Sequence, residues 1–242
     1  MSPAVSVFLP SYNKPGYVTE AAASVLAQDC GDLELWILEN SDDGGATRAA
    51  LAPLTADPRV IYEEITLGED ERMPRAWTPA VLMNRYYGKA AGELIAYISD
   101  DDLWEPNLVS RVLAEFAAHP EHHAVWFTMW RVSWDERQGR FRPAGSIPAV
   151  CEVGKGCRQE KADCRVDGGQ VVHRRECLDE IPQPWFPPDR ATAHHNDGMF
   201  LQKLADAHPL HPVPDRLMTH RATPLSSWDK PAAGRRTLGD RS

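Results

Sequence analysis

The stretch Ile98–Pro106, ISDDDLWEP, sets the central question about this chain. It begins at the end of LIAYI (Leu94–Ile98), an apolar run typical of a buried strand, and it ends at a Trp and a Pro that are typical of the start of a helix. Asp100, Asp101 and Asp102 therefore follow a core strand directly. Adjacent negative charges at such a position are unfavourable unless a cation neutralises them.

The first half of the chain alternates strand-like and helix-like segments. Strand patterns cover residues 5–9, 33–39, 59–65 and 94–98, with helix patterns between them. This alternation predicts an α/β fold with a mostly parallel central sheet flanked by helices. Ligands of such sheets bind beyond the carboxyl ends of the strands. Polar clusters follow three of these strands: PSYN, ENSDDGG and SDDD. We expect them to converge at one edge of the sheet.

The second half is less regular. A helix with an apolar stripe is expected from Pro106, and residues 124–134 form a β-prone run. A loop is expected over 138–167, a helix over 196–207 and a closing strand over 211–221. Beyond Ser226 the sequence is typical of a flexible tail.

Composition excludes several classes of function. The chain has 35 acidic and 26 basic residues, a net charge of −9, and no cluster of Lys and Arg. A nucleic-acid partner is therefore not expected. No apolar run approaches the roughly 18 residues of a membrane span, and the N-terminus lacks the basic segment of a signal peptide. These features predict a cytoplasmic protein without a membrane span.

The cysteines favour free thiols. There are five, Cys30, Cys151, Cys157, Cys164 and Cys177, and no two of them form a C-x-x-C pair. The last four lie close together in sequence, so a zinc or redox cluster is the alternative. A reducing compartment with free thiols is the preferred interpretation.

Several segments in order resemble the family 2 glycosyltransferases, GT-A enzymes that use nucleotide-diphospho-sugars. The matching segments are SVFLPSYNKPGYVTEAAASVLAQ, ELWILENSDDGGAT, NRYYGKAAGELIAYISDDDLWEPNLV, HNDGMFLQKL and RLMTHR. The resemblance covers residues 5–221 and is strongest over the first 110. It implies one GT-A domain over 1–226 with a Rossmann-like sheet. Residues up to about 105 would bind the nucleotide-sugar, residues 106–226 the acceptor, and 227–242 would be the tail.

The resemblance also implies roles on the donor side. Tyr12 would stack on the nucleotide base. Glu39 stands where the family usually has an Asp that contacts the base or ribose, and Arg85 could reach a phosphate or form a surface salt bridge. The residues expected to bind the nucleotide-sugar are Pro10, Ser11, Tyr12, Glu39, Asp43, Asn84, Arg85, Ser99 and Asp100.

The aspartate motif departs from the family in one position. Members often have Asp-x-Asp-Asp before the Trp, whereas this chain has Ser99 at the first place. In the preferred register Asp101 ligates Mn²⁺ or Mg²⁺, Asp100 faces the ribose or a metal-bound water, and Asp102 lies on the acceptor side. The rival register pairs Asp100 with Asp102. The metal ligands expected are Asp101, Asp102 and His220, although His220 could also be a surface histidine.

Inverting transfer requires a carboxylate that takes a proton from the acceptor hydroxyl. The resemblance places this general base at the start of a helix, where Asp197 stands, and Asp189 is the reserve. An ordinary charge at a helix N-terminus is the alternative for Asp197. His173 could touch the sugar or fill a gap in the core, and His194 with His195 is not expected to bind a metal.

These patterns favour a metal-dependent, inverting glycosyltransferase. The donor expected is a nucleotide-diphospho-sugar, preferably a UDP-sugar, and the acceptor could be a small molecule, a glycan or a protein. A homodimer is compatible with the sequence. Two alternatives stay open at this point: a nucleotidyltransferase, and a catalytically silent protein that binds nucleotide-sugars. Lys14 with one Gly in PSYNKPG is a weak match to the triphosphate loop that a nucleotidyltransferase needs.

Overall fold

The computed structural model describes residues 2–72, 78–147, 153, 166–185 and 196–225. The strands are β1 Val5–Ser11, β2 Leu33–Glu39, β3 Val60–Glu64, β4 Leu94–Tyr97, β5 Leu103–Trp104, β6 Ala124–Asp135, β7 Arg140–Ile147, β8 Val171–Arg174 and β9 Leu210–Ala222. The helices are α1 Pro15–Leu26, α2 Ala46–Leu51, α3 Glu69–Arg72, α4 Thr78–Tyr86, α5 Leu108–Ala118 and α6 Asn196–Ala207.

One sheet joins all nine strands. Its order is β3-β2-β1-β4-β8-β6-β9-β5, and β7 pairs with β6 outside this path. Strands β3, β2, β1 and β4 are parallel, as the alternation of strands and helices predicts, and β6 is parallel to β9. β8 runs antiparallel between β4 and β6. The α/β class and the parallel pairing of the first four strands are confirmed.

The two faces of the sheet bury separate cores because successive side chains of a strand point to opposite faces. Val7 and Leu9 of β1 belong to the core on the side of α1 and α5. Phe8, between them, belongs to the core on the side of α4 and α6. All three side chains are fully buried. Helices therefore cover both faces and leave the carboxyl ends of the parallel strands open to ligands.

The loop expected over 138–167 is wrong in its first part. Residues Arg140–Ile147 form β7, which pairs antiparallel with β6 after a turn in which Gly139 has a φ of +59°. Pro143 and Gly145 interrupt the strand pattern of this segment in the sequence, but an outer strand tolerates both residues. The register shift between Arg131 and Val132 accommodates them. Apart from Val153 and Val166–Asp167, the rest of the expected loop lies outside the described residues, as does the tail beyond Ser226.

Two helix boundaries also differ from expectation. The helix predicted from Pro106 begins at Leu108, after Asn107. Thr78-Pro79 and Gly92 in the sequence predict a helix that closes at Gly92, but α4 ends at Tyr86, and a 3-10 turn, Tyr87–Lys89, follows it.

Candidate active site

The polar clusters after β1, β2 and β4 meet at one edge of the sheet. Asp100 lies in the turn after β4, and its Oδ2 accepts a hydrogen bond of 3.0 Å from the backbone N–H of Tyr12, directly after β1. The loop after β2 reaches the same place, because the Tyr12 hydroxyl donates to Oδ2 of Asp42 at 2.9 Å. The convergence expected from parallel strands is therefore present in the structure.

A lysine supplies the positive charge that the aspartates require. Nζ of Lys14 lies 2.7 Å from Oδ1 of Asp100 and 2.8 Å from Oδ2 of Asp101. Both aspartates are buried, as is most of the Lys14 side chain. Burial disfavours the Lys14 ammonium, but the two carboxylates outweigh it and the pKa of Lys14 is raised. Burial, with repulsion from Asp101, raises the pKa of Asp100 in spite of Lys14.

Asp102 faces a different set of partners. It is fully buried, and its Oδ1 lies 3.0 Å from Nδ1 of His220 and accepts the backbone N–H of Arg221 at 3.0 Å. Burial raises the pKa of Asp102 to about 6. The pKa of His220 is raised to about 9, because the hydrogen bond and the charge of Asp102 outweigh burial. A protonated His220 therefore pairs with an ionised Asp102 near neutral pH.

Arg221 links the aspartate turn to α1. Its guanidinium donates to the backbone carbonyl of Asp101 and to the carboxylate of Glu20, and it is almost fully buried. The rings of Tyr17 and Phe141 lie 5.3 Å and 5.8 Å from its guanidinium carbon. This arrangement fixes the turn between β4 and β5 against β9 and α1.

The loop after β2 is held by its own side chains. Glu39 is buried at the end of β2, where its carboxylate accepts the Ser41 backbone N–H at 2.7 Å and the Tyr62 hydroxyl at 3.2 Å. Oδ2 of Asp43 accepts both the backbone N–H and the hydroxyl of Thr47, at 3.0 Å and 2.6 Å. These bonds lower the pKa of Asp43. Both carboxylates thus order the loop that would contact the base or ribose.

The two residues of α4 that were predicted to bind the donor, Asn84 and Arg85, contact other residues than the aspartates. Arg85 forms an ion pair of 2.5 Å with Glu71 at a partly exposed position. Oδ1 of Asn84 accepts the backbone N–H of Trp185 at 3.3 Å. Their assignment to donor binding stays a prediction.

Three further predicted residues line the ends of β1 and β4. Pro10 and Ser11 are the last residues of β1. The Ser11 hydroxyl is buried and has no hydrogen-bond partner among the described residues. Ser99, which replaces the family's first Asp, is exposed at the start of the turn, and its carbonyl accepts the Asp102 N–H at 3.2 Å. The donor roles of these residues stay predictions.

Asp197 lies in the first turn of α6 and borders the site through a 3-10 turn, Gly168–Gln170. A Cβ placed on Gly168 would meet the Asp197 Cβ at 3.5 Å. The preceding Asp167 is near enough for its charge to raise the pKa of Asp102. Asp197 thus lies near the 3-10 turn that follows Asp167, and its catalytic role stays a prediction. Asp189, His194 and His195 lie outside the described residues.

His173 fills a gap in the core. It is fully buried, its Nε2 lies 2.9 Å from the Tyr97 hydroxyl, and its Nδ1 lies 2.8 Å from the Arg174 carbonyl oxygen. Burial lowers the pKa of His173 to about 4. Of its two interpretations, sugar contact and core packing, the structure supports the second.

The donor atoms at the aspartate turn fit a hard divalent cation. Asp100 and Asp101 present carboxylate oxygens to one point, and the Thr223 hydroxyl lies 3.3 Å from Oδ2 of Asp101. Mn²⁺ and Mg²⁺ prefer such oxygen ligands. The ammonium of Lys14 lies between the same two carboxylates, so a metal ion and Lys14 would compete for them. The third aspartate of the motif, Asp102, faces His220 instead of Lys14.

Sequence reasoning gave Lys14 no role beside the aspartates and did not single out Asp167 or Arg221. Each is a common surface residue type, and each reaches the aspartates from a segment distant in sequence. The unfavourable charge of Asp100–Asp102 was the available signal, since it required a cation without showing which one. Among the described residues, no helix combines the length and apolar character needed to cross a bilayer.

Comparisons with known proteins bear on the family. A model of Glycosyl transferase family 2 matches residues 6–175, well over half of the chain. Protein CgeD of Bacillus subtilis (strain 168) is 29% identical over 233 residues, which cover 93% of this chain and 52% of CgeD. The putative colanic acid biosynthesis glycosyl transferase WcaA of Escherichia coli (strain K12) is 29% identical over 115 residues, covering 47% of this chain and 38% of WcaA. The chain spans about half of these relatives or less.

Solved structures share the fold. TarS 1-349 of S. aureus in complex with UDP has a TM-score of 0.68 at 17% identity, covering 91% of this chain and 61% of that one. The mannosyltransferase PcManGT of Pyrobaculum calidifontis, in complex with GDP-Man and Mn²⁺, has a TM-score of 0.59 at 17% identity, covering 91% and 57%. Identity at this level shows the fold alone. With the family match, it establishes that the chain belongs to glycosyl transferase family 2 and has the GT-A fold.

Proposed function

We propose that this protein transfers a sugar from a nucleotide-diphospho-sugar, preferably a UDP-sugar, to an acceptor hydroxyl with inversion. The observation that carries the proposal is the meeting of Asp100, Asp101 and Lys14 beyond the carboxyl ends of β1 and β4. Buried carboxylates and a buried ammonium at this place suit a diphosphate and its cation, and family membership supports the same reaction class.

The nucleoside would lie against the loops after β1 and β2. Tyr12 and Asn13 both bind Asp42, through a hydroxyl bond of 2.9 Å and an amide bond of 2.6 Å. These bonds join the two loops into one surface, and the Tyr12 ring would stack on the base. The Glu39 carboxylate accepts the backbone N–H of Ser41 and so orders the start of the loop after β2. The UDP preference is supported by TarS, whose structures contain UDP and UDP-GlcNAc.

Lys14 would bind the diphosphate. Its ammonium carries one positive charge beside two carboxylates, and a phosphate oxygen can replace either of them as its partner. Asp100 and Asp101 would hold Mn²⁺ or Mg²⁺, with Asp102 and His220 as the remaining members of the predicted set. When bound, such an ion neutralises charge on the leaving diphosphate. PcManGT, of the same fold, was crystallised with GDP-Man and Mn²⁺.

Asp197 would accept the proton of the acceptor hydroxyl. It lies in the first turn of α6, and a Cβ on Gly168 would meet its Cβ at 3.5 Å, near Asp167, whose charge acts on Asp102. A hydroxyl approaching from this side attacks the anomeric carbon opposite the leaving diphosphate, in a single displacement that inverts the configuration. A positioned general base of this kind contributes about 10²–10⁴ in rate.

Calorimetric titration tests the donor site. The protein is titrated with UDP, dTDP and GDP, each with and without Mn²⁺, alongside Asp101→Asn. We expect Mn²⁺-dependent binding of UDP that Asp101→Asn abolishes while the variant stays folded, as its circular dichroism would show. The matched control is Asp206→Asn, which changes an exposed aspartate of α6 that accepts a hydrogen bond from Gln202.

Each outcome of this titration has a consequence. Binding of GDP or dTDP instead of UDP would reassign the donor base and keep the site. Binding that ignores Mn²⁺ or survives Asp101→Asn would overturn the role of the aspartates. Binding without any release of UDP from a UDP-sugar would favour a silent nucleotide-sugar-binding protein over an enzyme.

A further inference from the structure

Two histidines and a cysteine meet at the edge of the sheet opposite the aspartates. His123 immediately precedes β6, Cys177 lies in the 3-10 turn Arg175–Leu178 after β8, and His208 lies between α6 and β9. β8 runs antiparallel to β4 and β6, and β6 is parallel to β9. The end of β8 and the starts of β6 and β9 are therefore at the edge where β4 begins. Asp100–Asp102 follow the other end of β4.

The three side chains have the spacing of a metal site. One ring nitrogen of His123, one of His208 and the sulfur of Cys177 all lie within 4.8 Å of one another. Cys177 is fully buried, and the two imidazole rings stack with centroids 4.5 Å apart. Two carboxylates flank the group: Glu176 Oε1 lies 3.5 Å from Nδ1 of His123, and Glu180 Oε2 lies 3.2 Å from Nε2 of His208.

Packing alone does not account for these groups. The Cys177 thiol donates a weak hydrogen bond of 3.6 Å to the His123 carbonyl, which is an ordinary role for a buried cysteine. Nδ1 of His123 and Nε2 of His208, however, are shielded from solvent and make no hydrogen bond with any described residue. The carboxylates of Glu176 and Glu180 lie within ion-pair distance of these nitrogens but not in hydrogen-bond geometry, and a bound cation would use both nitrogens as ligands.

We propose that His123, Cys177 and His208 bind a zinc ion, with Glu180, Glu176 or water as the fourth ligand. A thiolate with two imidazoles is a ligand set that selects Zn²⁺ over Mg²⁺ or Mn²⁺. Tetrahedral ligands about 2.0–2.3 Å from zinc are roughly 3.3–3.8 Å apart, so the three atoms need to close by about 1 Å. The partly exposed histidines can do so by side-chain rotation.

A zinc ion at this site would connect three segments of the chain and would lie away from the reacting groups. The backbone N–H of His208 bonds to the Leu204 carbonyl at 2.7 Å, so this histidine extends the last turn of α6. Asp197 begins the same helix eleven residues earlier, about 16 Å away along the axis. A zinc ion here would anchor the end of α6, the turn after β8 and the start of β6. This inference does not depend on the proposed glycosyl transfer.

Cobalt spectroscopy tests the site directly. Metal-free, reduced protein is titrated with Co²⁺, whose thiolate complexes give a charge-transfer absorption that carboxylate complexes lack. We expect one such Co²⁺ per chain, displaced by Zn²⁺, and a higher melting temperature with Zn²⁺. Cys177→Ser and His208→Gln should abolish the absorption. The matched controls, Cys30→Ser and His211→Gln, change residues outside the group and should keep it.

The variants separate the outcomes. Absence of the thiolate absorption in folded wild-type protein would overturn the proposal, and so would its persistence in folded Cys177→Ser. If Cys177→Ser does not fold, His208→Gln decides, because His208 follows the end of α6 and its substitution leaves the fully buried thiol in place. Co²⁺ bound at Asp100 and Asp101 gives no thiolate absorption, so a failure here is distinguishable from a failure of the donor site.

Discussion

The ammonium of Lys14 lies 2.7 Å from the carboxylate of Asp100, although 86 residues separate the two in sequence. Lys14 follows β1 and Asp100 follows β4, and these neighbouring strands are parallel. The relationship shows how a buried cluster of aspartates is tolerated: a lysine from the adjacent loop pairs with two of them, and His220 pairs with the third. It also defines where a metal ion would compete with Lys14 for the same carboxylate oxygens.

Replacing Lys14 should therefore destabilise the metal-free protein and strengthen its response to metal. Removing one partner of a buried pair costs about 3 kcal/mol in the free energy of unfolding. In Lys14→Met, Mn²⁺ can take the place of the ammonium between Asp100 and Asp101. We expect Mn²⁺ to raise the melting temperature of the variant more than that of the wild type.

The control for this change is Lys89→Met, which removes an ammonium 4.3 Å from the ring of Tyr86, away from the aspartates. Its melting temperature should respond to Mn²⁺ as the wild type does. An equal response of Lys14→Met and the wild type would show that Lys14 and the metal ion do not share the carboxylates.

A glycine at the start of β4 should be intolerant of any side chain. A Cβ on Gly92 would lie 2.5 Å from the backbone nitrogen of Ser6 and 2.8 Å from the carbonyl carbon of Val5. Backbone atoms of β1 cannot move away without breaking the pairing of β1 with β4. Gly92→Ala should lower the free energy of unfolding by about 2–4 kcal/mol, measured by chemical denaturation.

Gly88→Ala is the matched comparison, because a Cβ there meets nothing within 4 Å. It should change the free energy of unfolding by less than about 0.5 kcal/mol. If both substitutions cost the same, the close approach of Gly92 to Ser6 is not what constrains this position.

The strands of the first half were predictable because their apolar residues follow one regular pattern. β2 has the predicted bounds, Leu33–Glu39, and β4 ends one residue earlier than predicted. The strand β7 was missed, because Pro143 and Gly145 interrupt its pattern and its pairing with β6 is a tertiary property. Local sequence signals do not contain that information.

The position of the aspartates in the fold could be predicted from the sequence, but their partners could not. The strand–turn–helix pattern around Asp100–Asp102 predicts that they lie together at a sheet edge, and they do. It could not show that Asp102 faces His220 while Asp100 and Asp101 face Lys14, because the burial of each side chain depends on where β9 packs. The proposed zinc ligands were still harder to predict, because they come from three separate segments and form no spacing motif in the sequence.

The stability of the protein should depend on pH through His173. Its pKa is about 4 in the folded protein and about 6.5 when unfolded, so the unfolded chain binds more protons between these values. Its contribution to stability is complete above pH about 6.5 and is lost as the pH falls towards 4. The loss amounts to about 3 kcal/mol. His173→Gln should remove it, as chemical denaturation across this range would show.

Asp102 opposes this trend. Its pKa is raised to about 6, so protonation of Asp102 favours the folded protein as the pH falls below that value. Asp102 is present in both proteins, and the difference between wild type and His173→Gln isolates His173. The exposed His119 provides the control: His119→Gln should keep the pH dependence of the wild type. Parallel curves for wild type and His173→Gln would contradict the assignment.

Asp197→Asn should separate donor binding from chemistry. The amide has the size of the carboxylate but cannot take the proton from the acceptor hydroxyl. Asp197 lies in α6, whereas Asp100 and Asp101 follow β4, so the substitution should not disturb the donor site. Water can replace the acceptor, so release of UDP from a UDP-sugar reports the reaction before the acceptor is known. We expect this rate to fall by about 10²–10⁴ while Mn²⁺-dependent UDP binding is unchanged. Asp206→Asn, in the same helix, should retain both.

A full rate in Asp197→Asn would mean that another carboxylate is the general base, and Asp189 would be the first to test. Joint loss of binding and folding would instead make Asp197 a structural residue of α6.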